Sequence, residues 1–392
     1  MTTAIIITVC VLVLLAYVFD VTSSKTKVPS VILLLLMGWL VKQIALTIDL
    51  SIPNLSSILP ILGTIGLILI VLEGSLELEL NASKFPLIRK SFGVALIPML
   101  LLAFGVAGAM YYWQGGSFKD CLTNVVPLCV ISSAIAIPSV KNLPGYQKEF
   151  IIYESSLSDI LGVVFFNFVA LNDTFGFNSV WHFFAQLFTI VLVSFLATGG
   201  LSYLLSKIDH HIKFAPIILL VILIYNISKI YHLPSLVFIL IFGLFLGNLD
   251  EMKQFKWIQR LKPDLLDREV KKFKEITIEA TFVIRVLFFL LFGYLMETSE
   301  ILNTDTLIWA IGIVINIFCL RAILLKFYKM DLSPLLFIAP RGLITILLFL
   351  SIPASQTIPL VNKSLIIQII ILSALVMMVG LMMENKKERP VT

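Results

Sequence analysis

The stretch YESSLSDILGVVFFN, Tyr153 to Asn167, decides how this chain is read. It lies inside a long apolar segment, yet it carries Glu154, Asp159 and the serines 155, 156 and 158. An ionised side chain at the centre of a bilayer costs at least about 2.5–3.5 kcal/mol, so each such group needs a partner, a cavity or a neutral state.

The apolar surroundings are not local. Of 392 residues, 59% are hydrophobic and 14% charged, and apolar runs recur from end to end, as in a polytopic membrane protein. The runs are broken by Pro, Gly and charge and do not alternate every second residue, which favours helices over barrel strands. The expected fold is all-α, with about thirteen spans near 3–20, 28–48, 57–78, 87–112, 121–140, 148–171, 180–206, 213–231, 234–249, 274–297, 305–327, 334–353 and 364–384. Cys10, Cys121, Cys129 and Cys319 show no CxxC pairing and are read as packing residues. The N-terminal run MTTAIIITVCVLVLLAYVFD has no basic leader and is expected to be a retained first helix.

The net charge of +5 points to no nucleic-acid partner, because the basic residues sit in short loops. Of the 29 lysines and arginines, Lys42, Lys119, Lys229 and Lys363 fall on one side of the predicted spans. Arg285, Arg321 and Arg341 fall within spans, and the remainder fall on the other side. The positive-inside rule therefore sets the N-terminus outside and the C-terminus in the cytoplasm. Twelve spans with both ends inside is the alternative if one weak span fails. Residues 250–273 form the long polar connection, a cytoplasmic amphipathic linker carrying Phe255, Trp257, Ile258 and Leu261 among basic residues. Helices 3–249 precede it, helices 274–384 follow, and 385–392 form a short cytoplasmic tail, all in one transmembrane domain over 1–392. LILIVLEGSLELEL (67–80) rhymes faintly with VLFFLLFGYLMETS (286–299), Gly74 matching Gly293. Those helices are an odd number apart, which would make an inverted repeat.

Glu73, Glu154, Asp159, Arg285, Arg321 and Arg341 are the ionisable residues inside spans. For Glu73, Arg285 and Arg341, snorkelling to a nearby interface is an equal alternative. For Asp159 it fails: Asp159 lies about 16 Å along its helix from Lys148, near the midplane of a core about 30 Å thick. Ser155 and Asp159 share one helix face, and Glu154 and Ser158 share the adjacent one. Glu154 lies level with Arg321 on an oppositely directed span, so the two suit a buried ion pair. That leaves Asp159 without a fixed counter-charge, able to hold either a proton or a small cation, as proton-coupled cation exchange requires.

Two spans read as discontinuous. VPLCVISSAIAIPSV (126–140) places Pro127 and Pro138 around Ser132 and Ser133, and span 334–353 holds Pro340-Arg341-Gly342. Proline removes a backbone donor and clashes with the preceding turn. Freed carbonyls survive in a membrane only against protein or a wet cavity. An ordinary proline kink is the alternative.

These motifs, in this order, resemble the cation:proton antiporter superfamily, the sodium/proton exchangers and their bacterial relatives. ESSLSD resembles the exchangers' Glu-Ser-x-x-Asn-Asp, with Ser158 in the Asn position. RAILLKFYKMDLSPLLFIAPRGLITILL resembles their paired-arginine region, and VLEGSLELEL their third-helix FEGGL. ISSAIAI is closer to the potassium-efflux branch than to the exchangers' Thr-Asp-Pro. The resemblance implies two discontinuous crossing helices, inverted repeats, and a homodimer working by elevator-like alternating access in the bacterial inner membrane. It implies that Asp159 binds ion and proton, helped by Ser155, Glu73, Ser158, Ser132 and Ser133, with Glu154–Arg321 as a structural pair. Arg341, Pro340 and Pro138 would belong to the helix breaks. Na+, Li+ or K+ and protons are the cargo, no cofactor is expected, and the lipid bilayer is the surrounding partner.

Ser158 stands where electrogenic members carry a second acid, so one-for-one electroneutral exchange is expected. The missing Thr-Asp-Pro leaves sodium against potassium open; oxygen ligands suit either. A related-fold sodium-coupled solute transporter or a potassium efflux system is the other reading, although the short tail leaves no fused nucleotide-binding domain. An enzyme is disfavoured: His182, His210, His211 and His232 fall in loops or span ends, with no HExxH and no nucleophile elbow. His210-His211 as a pH sensor, Glu77 and Glu79 as a cation funnel and Asn167 as a path residue are each matched by a plainer solvated or packing role.

Overall fold

The computed structural model describes residues 2–26, 28–48, 55–78, 80–140, 143–172, 177–207, 213–231, 233–252 and 263–387. Among them the regular structure is helical and no strand occurs. This is what a lipid environment demands, since a helix satisfies its backbone groups within itself. The helices are α1 Thr2–Thr26, α2 Ser30–Thr47, α3 Ile58–Glu77, α4 Phe85–Gln114, α5 Phe118–Cys129, α6 Ser133–Ser139 and α7 Gly145–Leu171. They continue as α8 Phe177–Lys207, α9 Phe214–Ile230, α10 Leu236–Gly247, α11 Pro263–Tyr294, α12 Thr304–Phe327, α13 Leu343–Leu350 and α14 Lys363–Lys387. Among the described residues, 9 helical segments are long and apolar enough to cross a membrane, joined by the shorter Cys10–Thr22, Phe214–Ile230 and Leu236–Gly247.

The expected span 334–353 departs most from its prediction. Its first half is not a half-helix but a single 3-10 turn, Leu335–Phe337, running into irregular chain up to Gly342. Pro334 and Pro340 account for this: each lacks an amide donor, and Pro340 also disfavours helical geometry at Ala339. The linker also differs in its C-terminal part, where 263–273 is helix continuous with the following span. At 32 residues, α11 is about 48 Å long, well beyond the hydrocarbon thickness. The linker residues 253–262, Glu79, His210, His211 and His232 lie outside the described residues.

The chain divides into two compact units. The first comprises Met1–Thr64, Lys90–Gly162 and Val283–Thr392 and holds both interrupted spans. Within it α2 and α11 cross at glycine. A Cβ on Gly38 would lie 2.2 Å from the Leu290 carbonyl oxygen, and one on Gly293 would lie 2.3 Å from that of Leu35. Close backbone approach through small residues is how helices pack where lipid offers no hydrophobic contrast. Arg285, left open from the sequence, stands 3.9 Å from Asp20 of α1. Gln368 of α14 is buried and ties α12 in place: it accepts from Thr306 at 2.9 Å and donates to the Asn303 carbonyl at 2.8 Å.

The second unit comprises Ile65–Arg89 and Val163–Phe282. Here Asn248, just past α10, donates to the Leu78 carbonyl at 2.8 Å and accepts from the Leu80 amide, capping the end of α3. At the start of α11, Lys213 reaches Glu269 at 2.6 Å and Lys271 reaches Asp267 at 2.9 Å.

Candidate ion-binding site

The site grows from the interruption between α5 and α6. Val130 and Ser132 have extended backbone there, with ψ of 128° and 113°. An interrupted helix in a membrane leaves donors and acceptors that need partners. Here five of them are met by neighbours within the first unit. The Ile131 amide donates to the Ser158 hydroxyl at 2.9 Å, and the Ser132 amide to the Pro340 carbonyl at 2.9 Å. The Ser133 amide donates to Asp159 Oδ2 at 3.4 Å. On the other side, the Leu128 and Cys129 carbonyls accept from Arg341 at 2.8 and 3.3 Å. The Ser132–Pro340 bond means that the two interrupted spans meet backbone to backbone.

The interruption therefore falls between the prolines, not at them. Pro127 lies inside α5, and Pro138, expected at the break, lies inside α6. Tertiary partners decide the position: α7 offers Ser158 and Asp159 to the amides of Ile131 and Ser133, in competition with their intrahelical acceptors. Gly162 lets α7 come this close, since a Cβ there would lie 2.2 Å from Val130 Cγ2.

Asp159 is 2% exposed, and its two oxygens differ. Oδ2 accepts from both the hydroxyl and the amide of Ser133. Oδ1 is buried with no hydrogen-bond partner among the described residues, as is the hydroxyl of Ser132. Gly342 packs over Ser132; a Cβ on it would lie 2.8 Å from Ser132 Oγ. Ser155 is buried on the same helix and donates to the Ile151 carbonyl at 2.7 Å.

The structure brings Glu154 and Arg321 together as a bidentate pair. Nη2 donates to Oε2 at 2.8 Å, Nη1 donates to Oε1, and the side chains are 1% and 3% exposed. Arg321 Nε also donates to the Leu335 carbonyl at 2.7 Å, so the pair braces the chain leading into the second interruption. Such fork-to-carboxylate geometry is what makes a buried pair tolerable.

Arg341 is buried and meets carbonyls: Leu128, Cys129 and Ala339, the last at 2.8 Å. Leu128 and Cys129 are the last residues of α5, where the helix dipole is negative, so the cation sits at the favourable end. Asp159, an acid, meets the first amide of α6. The interruption is thus flanked by a basic and an acidic side chain, each set at the helix end that suits it.

Glu73 belongs to the second unit, partly buried on α3. Sequence reasoning missed Ser373, whose hydroxyl accepts from the Arg341 amide at 3.0 Å. It also missed Asn124, fully buried, which donates to the Gln356 carbonyl at 2.6 Å. Ser373 is a lone polar residue in an apolar run, which was its only signal, whereas Asn124 follows Thr123 in a polar helix start and carried none.

Two interrupted spans crossing beside a buried acid, in an all-helical membrane fold, define the class of secondary transporters. The fold is similar to that of the sodium proton antiporter MjNhaP1 from Methanocaldococcus jannaschii. Its structure at pH 8 matches with a TM-score of 0.70 and 19% identity over 98% of this chain and 97% of that one. Its structure from an electron-microscopy map gives the same score and identity over 100% of both chains. No individual curated protein matches the chain by sequence. The profile of the family described as sodium/hydrogen exchanger, transmembrane, matches residues 10–384, and the chain belongs to that family.

Proposed function

We propose that this protein is a monovalent cation:proton antiporter in which a proton and Na+, Li+ or K+ compete for Asp159. The observation that carries this reading is the asymmetry of that carboxylate. Glu154 is committed to Arg321, whereas Asp159 keeps one buried oxygen, Oδ1, without a donor. A proton or a desolvated cation completes it. The Ser132 and Ser155 oxygens are near neighbours of Asp159 that suit a hard monovalent cation. Ser133 holds Oδ2, and Ser158 positions the interruption through the Ile131 amide.

A single exchanging acid binds one proton or one cation, so the cycle is one-for-one and electroneutral. Alternating access proceeds by elevator-like motion of the part that carries the interruptions. The protein acts as a homodimer in a bacterial inner membrane, N-terminus outside and C-terminus in the cytoplasm, in the service of pH homeostasis. The basic loops on one side support this orientation.

The deciding experiment is dequenching of a pH-sensitive dye in proteoliposomes pulsed with Na+, Li+ and K+. Wild-type protein should respond to at least one of the cations, and Asp159→Asn to none. Exchange that persists in Asp159→Asn sinks the assignment, and voltage-dependent flux with net charge per cycle sinks the stoichiometry.

A further inference from the structure

Beside the interruptions, within the first unit, lies a cavity of about 20 Å³ lined by Val94, Pro98, Met99, Cys129, Arg321 and Arg341. It is walled mostly by apolar groups, yet two buried guanidiniums face it. Arg321 uses donors on Leu335 and Glu154, and Arg341 on Leu128, Cys129 and Ala339. A guanidinium carries more N–H donors than these bonds use, and a buried charged donor left unmatched is costly. Pro98 sits inside α4 and has no amide hydrogen, so the carbonyl of Val94, one turn earlier, lacks its usual donor. The residues that bear the surplus donors and the orphan acceptor therefore line one small space.

We propose that this cavity is a hydration site holding one water, which accepts from Arg321 and Arg341 and donates to the Val94 carbonyl. The volume admits it: a water needs at least about 10–15 Å³ and two to four polar partners. A small anion suits the space less well, because the Val94 carbonyl and the Glu154 carboxylate bound to Arg321 would both repel it. Water alone supplies acceptor and donor together. It joins the Glu154–Arg321 pair to the Arg341 cap, so the buried charges form one hydrogen-bonded network. This holds whichever cation is carried.

The cavity contains its own reporters. Met99 and Cys129 line it and are 2% and 3% exposed, while Met110 and Cys121, at 0% and 1%, lie off it. Pulsed X-ray hydroxyl-radical labelling of the full chain in lipid nanodiscs, read by mass spectrometry, generates radicals from bound water. Met99 and Cys129 should be oxidised at least severalfold faster than Met110 and Cys121. Ala95 also lines the cavity, and Ala95→Leu, which fills it, should bring both down to the control rates. Equal rates in the wild type, or undiminished rates in a folded Ala95→Leu protein, would overturn the proposal. If Ala95→Leu does not fold, the wild-type comparison decides alone.

Discussion

Ser133 gives both of its donors to one oxygen of Asp159. Its hydroxyl and its amide converge on Oδ2, and Oδ1 is left buried with no partner. One half of the carboxylate is thereby anchored to the first residue of α6 while the other half stays open. Ser158, one residue earlier on α7, performs a separate task by accepting from the Ile131 amide. Adjacent residues of one helix thus hold successive parts of the same interruption.

Ser158→Ala removes the acceptor of the Ile131 amide and leaves that N–H buried. An unsatisfied buried donor costs about 1–3 kcal/mol, so the purified variant should be less stable by about that amount and unfold at a lower temperature. Ser158→Thr keeps the oxygen and should stay close to the parent. Thermal unfolding read by tryptophan fluorescence separates them; equal stability of Ser158→Ala and wild type would remove Ser158 from this role.

Glu154→Gln strands the Arg321 charge in a site where both side chains are almost fully buried. Breaking a buried pair from one side costs about 3–5 kcal/mol, mostly through the unmatched partner. The loss should therefore be large in thermal stability. A second change, Arg321→Met, should recover part of it, because no uncompensated charge remains. A double variant that is less stable than Glu154→Gln would contradict this account.

The sequence made the helices legible because apolar runs leave a membrane chain few alternatives, and it paired Glu154 with Arg321 because both are too costly to bury alone. Pro127 and Pro138 bracketed the interruption around Ser132 and Ser133, but local chemistry did not reveal what opens it there: α7 claims the amides of Ile131 and Ser133. The contribution of Ser158 was hidden for the same reason: a hydroxyl looks like an ion ligand until the backbone it caps is known. Neither Ser373 nor Asn124 gave a pattern that pointed to its partner, since Ser373 acts on chain 32 residues away and Asn124 on chain 232 residues away.

Gly293→Ala tests the crossing of α2 and α11. Its new methyl would meet backbone, the Leu35 carbonyl at 2.3 Å, and backbone cannot step aside as a side-chain tip can. Overpacking of this kind costs about 1–3 kcal/mol. Gly108→Ala in α4 is the control, with nothing within 4 Å of the new atom, and should be neutral or slightly stabilising. Comparable losses in the two would mean that the crossing is not the cause.

Arg341→Lys keeps the charge and loses the fork. A lysine ammonium cannot span the Leu128, Cys129 and Ala339 carbonyls as a planar guanidinium does, so at least one buried acceptor goes unmatched. The variant should lose about 1–3 kcal/mol of stability and most of its exchange activity. Wild-type melting and flux in Arg341→Lys would show that charge alone suffices at the α5 terminus.

Near the end of α2, Lys42 bonds Glu297 at 2.6 Å and the Met296 carbonyl at 3.1 Å, two groups that lie outside the spans just past the end of α11. The hydrogen bond and charge of Lys42 hold the Glu297 carboxyl below its ordinary value of 4.5. A carboxyl depressed by folding stabilises the folded state above its unfolded pKa, and that contribution fades as pH falls through the folded value. Glu297 is 59% exposed, so solvent screening keeps the effect small. Wild type should melt slightly above Lys42→Met at neutral pH, and the gap should narrow below about pH 4. The remaining difference at low pH reports the lysine's bond to the Met296 carbonyl, which has no carboxylate to lose. A gap that stays constant from neutral pH down to about pH 3 would assign all of the stabilisation to that carbonyl and none to the ion pair.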